Sequence, residues 1–341
     1  MSGAAVAGIE PKRRERAIDL FKGLLIVGMV YCHTLQFFSD PVVYPSISRW
    51  IDFFNLITFS GFVFSFGYVS QLAYYSKPFR SACPRMLTAA LKTLLAFYVS
   101  GTAFRVFHDG APLQWDTIRP IMLLKDIPGW SEFLVSFTYL MVLGLVLFVP
   151  LRWLSGRKWL GFLAAGLLLA GTLFPYGAVH VPQLGLLVGT RDFASFPPVQ
   201  YFPYYLLGIL FAKYRIRFDW LVLAGSVLAT GLFAANWRYA GELPSRFPPS
   251  LFWIIGAAFI LYGYYLLARV LERIPYAFGF LESMGRNVLL YLVLSNLLIF
   301  TVKSSRPDLL IGSGGGLLYA AGWLAVCGFC SWIVTKRTRK M

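Results

Sequence analysis

Residues 16–38 read RAIDLFKGLLIVGMVYCHTLQFF, and the reading of this stretch decides the fold. As a helix it is long enough to cross the roughly 30 Å hydrocarbon core of a bilayer. The basic PKRRER just before it would suit a signal peptide, but no small-residue cleavage site follows the apolar run, so it stays as a membrane span. Its one lysine, Lys22, stands eleven residues before His33, the one histidine in any span. At 100° per residue that step is close to three helical turns. The two side chains therefore share a face, roughly 16 Å apart along the axis. Asp19, three residues before Lys22, is placed to pair with it and lower the cost of a cation at the membrane edge. Gly23 and Gly28 open the backbone to a neighbouring helix or a narrow ligand.

The rest of the chain has the same character. Of its 341 residues 58% are hydrophobic and 13% charged, with mean hydropathy +0.65. A soluble domain of that balance would precipitate. The expectation is an all-α integral membrane protein, a bundle of about ten transmembrane helices. Apolar spans fall near 18–38, 51–72, 84–104, 130–150, 159–174, 200–213, 219–237, 250–268, 287–303 and 316–334. No polar tract is long enough for a second soluble domain, so residues 1–341 read as one polytopic domain with basic flanks at 1–17 and 335–341. The net charge of +16 is divided into short clusters at alternate crossings, such as Arg13, Arg14 and Arg16, then Lys77, Arg80 and Arg85, then Lys336, Arg337, Arg339 and Lys340. This positive-inside pattern places both termini in the cytoplasm and the chain in the inner (plasma) membrane. Nucleic acid is excluded as a partner, because cations that follow phosphates form a contiguous patch.

Proline-rich connections near 105–129 and 175–199 are expected on the outer side as loops or a re-entrant lid. Four cysteines, Cys32, Cys83, Cys327 and Cys330, form no disulfide framework, and Cys327-x-x-Cys330 has no nearby histidine to complete a metal site. No metal is expected. The run GSGGG at 312–316 lacks the lysine of a phosphate loop and reads as a turn.

An imidazole in hydrocarbon is costly enough that His33 reads as functional, whereas Lys22 suits either a functional cation or a snorkelling interfacial anchor. Cys32 points about 100° away from His33, against an adjacent Cys–His dyad. Glu132 and Asp52, at the outer ends of their spans, are candidate orienting partners for His33, or simply headgroup-level carboxylates. His108 and His180 fall in outer loops. Trp50, Trp115, Trp130, Trp153 and Trp237 cluster at span ends as an aromatic belt.

The Asp19-x-x-Lys22-Gly23 and Lys22-x10-His33 pattern resembles the Arg/Lys-x10-His signature that opens the membrane-bound acyltransferase family 3 and its fucose-acetylase-like and heparan-glucosaminide-acetyltransferase-like relatives. FSGFVFSFGY (59–68), PRMLTAALKTLLAFY (84–98), YFPYYLLGILFAKY (201–214), FPPSLFW (247–253) and MGRNVLLYLVLSN (284–296) are similar to family segments in the same order. The resemblance covers nearly the whole chain. Two departures stand out: many relatives carry a histidine shortly after the tyrosine equivalent to Tyr291, where this chain has Leu294, Ser295 and Asn296, and Arg80 and Arg85 are more widely spaced than the family's third-span arginines.

The resemblance implies acetyl-CoA or a related acyl-CoA as cytoplasmic donor, and as acceptor the hydroxyl of an outer-side glycan or lipid-linked sugar. Lys22, with Asp19, and Arg80, Arg85 and Arg286 would hold the donor, although the positive-inside rule also explains these arginines. Acyl transfer to an alcohol needs a base that works near neutrality, and His33 suits that role, with a transient acyl carrier as the second possibility. Two further classes compete. A proton-coupled secondary transporter would use His33 in its pathway, but the chain has neither an inverted repeat nor paired broken helices. A non-catalytic membrane scaffold would keep His33 as a packing residue.

Overall fold

The computed structural model describes residues 15–338, with 77% of the chain helical and no strand among the described residues. Most of the basic amino-terminal flank and residues 339–341 lie outside the described residues. The helices are α1 (Arg16–Phe38), α2 (Ser46–Ser70), α3 (Phe79–Ala103), α4 (Trp115–Met122), α5 (Glu132–Val146), α6 (Phe148–Ser155), α7 (Lys158–Leu167), α8 (Pro182–Val188), α9 (Pro198–Lys213), α10 (Trp220–Ala240), α11 (Leu251–Gly256), α12 (Ala258–Leu271), α13 (Gly279–Arg286), α14 (Val288–Ser305) and α15 (Ser313–Thr338).

Each of the ten expected apolar segments is helical, but they differ in their capacity to span. Among the described residues seven helices are long and apolar enough to cross a membrane: α1, α2, α3, α10, the continuous pair α11 and α12, α14 and α15. An eighth crossing requires α5 and α6 to act together across a 76° bend. The expected span at 159–174 is the shorter apolar helix Lys158–Leu173. The one at 200–213 is α9, which is packed in protein along nearly its whole length, so its sixteen residues meet side chains rather than lipid. The connections expected on the outer side, at 105–129 and 175–199, carry the short helices α4 and α8, and the glycines at 314–316 start α15 instead of forming a free turn.

Helix α10 is the clearest sign of a lipid environment. It is mostly apolar, packs chiefly on α11 and α12, and among its twenty-one residues only Ser226 and Phe233 are buried. An apolar helix that exposes nearly its whole circumference is stable only where the surrounding solvent is itself apolar.

The centre of the bundle is α1, which touches α2, α12, α13, α14 and α15. It gets this close through glycine. A Cβ on Gly23 would lie 2.2 Å from the carbonyl oxygen of Leu281, and one on Gly285 would lie 1.8 Å from that of Asp19, so the backbones of α1 and α13 meet directly. The crossing of α2 and α9 repeats the device reciprocally: Gly67 abuts the Tyr205 carbonyl and Gly208 the Phe64 carbonyl, each with 2.0 Å for a Cβ. At the amino-terminal end of α1, Arg16 donates to the carbonyls of Glu272 (3.0 Å), Ile274 (2.8 Å) and Ala277, satisfying groups left open where α12 ends. Arg269 of α12 joins Glu15 (3.2 Å), Tyr68 (3.0 Å) and Tyr265 (2.9 Å), tying α1, α2 and α12 together.

The glycine crossings make a direct prediction. Gly67→Ala and Gly208→Ala each press a methyl group on a carbonyl oxygen that no rotamer change can move, and each should destabilise by about 1–3 kcal/mol. Gly225→Ala on α10, where nothing lies within 4 Å, should instead be neutral or stabilising by up to about 1 kcal/mol through helix propensity. Melting of the detergent-purified variants checks this, and equal effects at all three positions would contradict the crossing.

Candidate functional site

Two cavities lie along one side of α1. The one at the amino-terminal half of α1, called inner for that end, is about 720 Å³ and is lined by Lys22 of α1 and Arg286 at the end of α13, with apolar side chains of α2, α5 and α14 as its walls. The one at the carboxy-terminal half of α1, called outer, is about 210 Å³ and is lined by His33 and Cys32 of α1, Glu132 at the start of α5, and Arg246 in the connection between α10 and α11. Phe62 of α2 and Phe133 of α5 line both, so two aromatic rings are the partition between them. Lys22 and His33, expected on one face, do open onto this continuous side of the helix.

At the inner end Lys22 Nζ pairs with Asp19 Oδ1 at 2.8 Å, the pairing expected from their spacing. Arg286 Nε lies 3.6 Å from Asp19 Oδ2, and Arg286 also pairs with Glu282, which bonds Arg16 at 3.2 Å. The buried carboxylate of Asp19 thus holds two cations at the rim of the inner cavity, and its backbone carbonyl is the one that Gly285 admits. Arg80 and Arg85 are exposed at the start of α3 and line neither cavity; the structure does not bring them to Lys22.

At the outer end the decisive contact is one that sequence reasoning missed. His33 Nδ1 lies 2.9 Å from Asn296 Oδ1 of α14, and Asn296 Nδ2 donates to the Trp130 carbonyl at 2.9 Å. The carbonyl can only accept, so the Asn296 amide must turn its nitrogen to Trp130 and its oxygen to His33. An amide oxygen also only accepts, so Nδ1 of the imidazole carries a proton. In the neutral ring Nε2 is then the basic nitrogen, and it bonds no described protein group. Asn296 lies in the apolar stretch of α14. An asparagine in an apolar span was the available signal.

Trp130 is part of this construction rather than of an aromatic belt. It adopts a left-handed backbone conformation, φ 57°, which a bulky residue holds only when its surroundings enforce it. Its Nε1 donates to Gln36 Oε1 at 2.8 Å, and its ring packs on Phe37 and Phe104 at 4.5 and 5.5 Å. The other tryptophans assigned to the belt, Trp50, Trp115, Trp153 and Trp237, are exposed.

The two acids near His33 have different positions. Glu132 lines the outer cavity, and its buried Oε2 has no hydrogen-bond partner. Asp52 does not line the cavity, although it feels the field of Arg246. Neither is bonded to His33, whose orienting group is Asn296. Cys32 opens onto the same cavity, yet its Sγ is directed at the Ile51 carbonyl (3.7 Å) and Asn55 Oδ1 (3.6 Å) of α2, so no Cys–His dyad forms. His180 pairs with Asp192 at 3.1 Å in the outer loops, and His108 is exposed at the end of the π-helical turn that follows α3, its ring against Phe104 at 4.6 Å. Cys327 is buried against the Tyr291 carbonyl. Among the described residues no group of three or more His, Cys, Asp or Glu is placed to hold a metal ion.

Arg246 is the second residue that sequence reasoning passed over. Its guanidinium lies over the rings of Phe247 and Phe196, with Cζ 4.5 and 5.1 Å from their centroids. Burial pulls its pKa below the ordinary value, against the fields of Tyr201, Cys32, Glu132 and Asp52, and a guanidinium remains protonated under such a shift. The signal in the sequence was an arginine beside aromatic residues in a connection that the positive-inside pattern reads as outer, where few cations are expected.

A chain with three histidines allows the tautomer to be read directly. In ¹⁵N-histidine spectra of the purified protein, His33 should show a protonated Nδ1 and an unprotonated Nε2, and Asn296→Ala should convert it to a tautomer mixture. A wild-type Nε2–H tautomer would contradict the Asn296 bridge. No family model matches the chain, and no curated protein or solved structure is detectably similar to it.

Proposed function

We propose that the chain is a membrane-embedded O-acyltransferase that moves acetyl from cytoplasmic acetyl-CoA to a hydroxyl of an extracytoplasmic or lipid-linked glycan. The observation that carries this reading is the pair of cavities that share Phe62 and Phe133, with cations at the inner rim and a histidine of defined tautomer in the outer chamber. Lys22 and Arg286 would face the donor's phosphates. The pantetheine arm would extend through the apolar inner cavity and bring the thioester to the Phe62–Phe133 partition, towards His33, which lies roughly 16 Å from Lys22 along α1. There His33 Nε2 would take the acceptor hydroxyl's proton as its oxygen attacks the acetyl carbon. The C–S bond breaks, the ester forms, and the proton passes to the departing thiolate. Asn296 holds the imidazole for this task and accepts from Nδ1–H, so it also favours the cationic ring that forms when Nε2 is protonated. Ten crossings, with the bent α5–α6 pair, Lys158–Leu173 and α9 included, would place both termini in the cytoplasm of the inner membrane.

Removing the base should cost ~10²–10⁴-fold in transfer. In sealed inverted vesicles, labelled acetyl-CoA added outside should acetylate acceptor trapped in the lumen, and His33→Ala should lose this while inserting normally. Transfer by His33→Ala within a few-fold of wild type would overturn the mechanism. A transporter or scaffold would incorporate no label.

The topology has its own test. Reporters fused after Lys158 and after Met341 should read cytoplasmic and one inserted near Asp109 extracytoplasmic, following the basic clusters. An extracytoplasmic carboxyl terminus would require an odd number of crossings and rule out ten.

A further inference from the structure

The structure assigns Arg246 to an anion subsite of the outer cavity, and we infer that the acceptor is an acidic sugar, carrying a carboxylate or phosphate beside the hydroxyl that reacts. This deepens the acyltransferase reading and rests on it for the role of the bound molecule as acceptor. Among the described residues Lys22 and Arg286 have Asp19 as an acidic partner, Arg16 has Glu282, Arg105 has Asp126 and Arg269 has Glu15. Arg246 forms no ion pair with any described residue, and its buried Nε has no hydrogen-bond partner. An arginine left in this state costs stability unless a ligand completes it.

The setting selects the ligand. Phe196 and Phe247 cover the guanidinium, which leaves its N–H groups directed in their own plane. That edge is the fork that meets a carboxylate or phosphate with two parallel hydrogen bonds. The same cavity holds Glu132 with an unpartnered Oε2 and His33, whose Nδ1 is engaged by Asn296 so that Nε2 is left as the accepting nitrogen; both can accept from hydroxyl groups. A ligand that satisfies all three carries an anion at one edge and hydroxyls at the other, which describes a uronic acid or a sugar phosphate and not a neutral hexose. Arg246 enters from an outer connection, on the side opposite the cations of the inner rim, so this anion is distinct from the donor's phosphates.

The test is binding to the intact purified protein, with no donor present. Glucuronate, galacturonate and glucose 6-phosphate should raise the melting temperature in a saturable way, and methyl glucoside at equal concentration should not. Arg246→Gln should weaken the acidic probes by about 10- to 100-fold, the worth of charge-assisted hydrogen bonds. Arg246→Lys should fall between, since it keeps the charge and loses the fork. Binding of uronates alone or of the sugar phosphate alone identifies the acidic group. Equal stabilisation by the neutral sugar, no stabilisation by any acidic probe, or undiminished binding in Arg246→Gln would overturn the proposal. His33→Ala should weaken the acidic probes by no more than one hydroxyl contact is worth, a smaller loss than in Arg246→Gln. If they bind through Arg246 but wild type incorporates no label from acetyl-CoA, the subsite stands and the acyltransferase reading fails.

Discussion

The contact between the backbones of α1 and α13 sets the position of everything else. Glycine at 23 and at 285 removes the side chains that would hold the two helices apart, and the Asp19 carbonyl sits where a Cβ of residue 285 would be. Because the helices touch there, the Asp19 carboxylate is within reach of Arg286 as well as of its own helical neighbour Lys22. A carboxylate buried this deeply is stable only with such cations beside it, so close packing and charge pairing support each other. The inner rim of the cavity is a consequence of that packing.

Three turns along the same helix, the outer chamber depends on a different device. His33 gets its orientation from α14 and not from an acid, and α14 is in turn joined to the strained backbone of Trp130 before α5. The amide of Asn296 passes information in one direction: a carbonyl that can only accept fixes the amide, and the amide fixes the proton on the imidazole. A carboxylate in that place would also accept from Nδ1 but could not hold the Trp130 carbonyl. The asparagine therefore positions the connection before α5, and with it Glu132, at the same time as it positions the ring.

Between the two ends, the partition at Phe62 and Phe133 is supported by the α2–α9 crossing, where Gly67 and Gly208 let α2 lie against a helix too short to span by itself. Helix α9 is surrounded by protein, so its length is governed by what it packs on and not by bilayer thickness. That is why the bundle contains apolar helices of very different lengths and why α10, at the periphery, is long and almost wholly exposed.

Much of this was legible in the chain itself. The apolar segments, the shared face of Lys22 and His33 and the Asp19–Lys22 pair follow from hydropathy and the helical repeat, which act locally and need no partner. The same logic could not separate spans from buried or bent helices, because 159–174, 200–213 and the bent α5–α6 pair are apolar for reasons that length alone does not distinguish. Nor could it find Asn296 or Arg246. Their roles come from contacts across 263 residues to His33 and from rings in separate connections, and polar residues in isolation carry no sign of which partner they meet. It also could not tell that Glu132 lines the cavity, that Asp52 does not, or that Arg80 and Arg85 face away, since helix period fixes a face but only tertiary packing decides what that face meets.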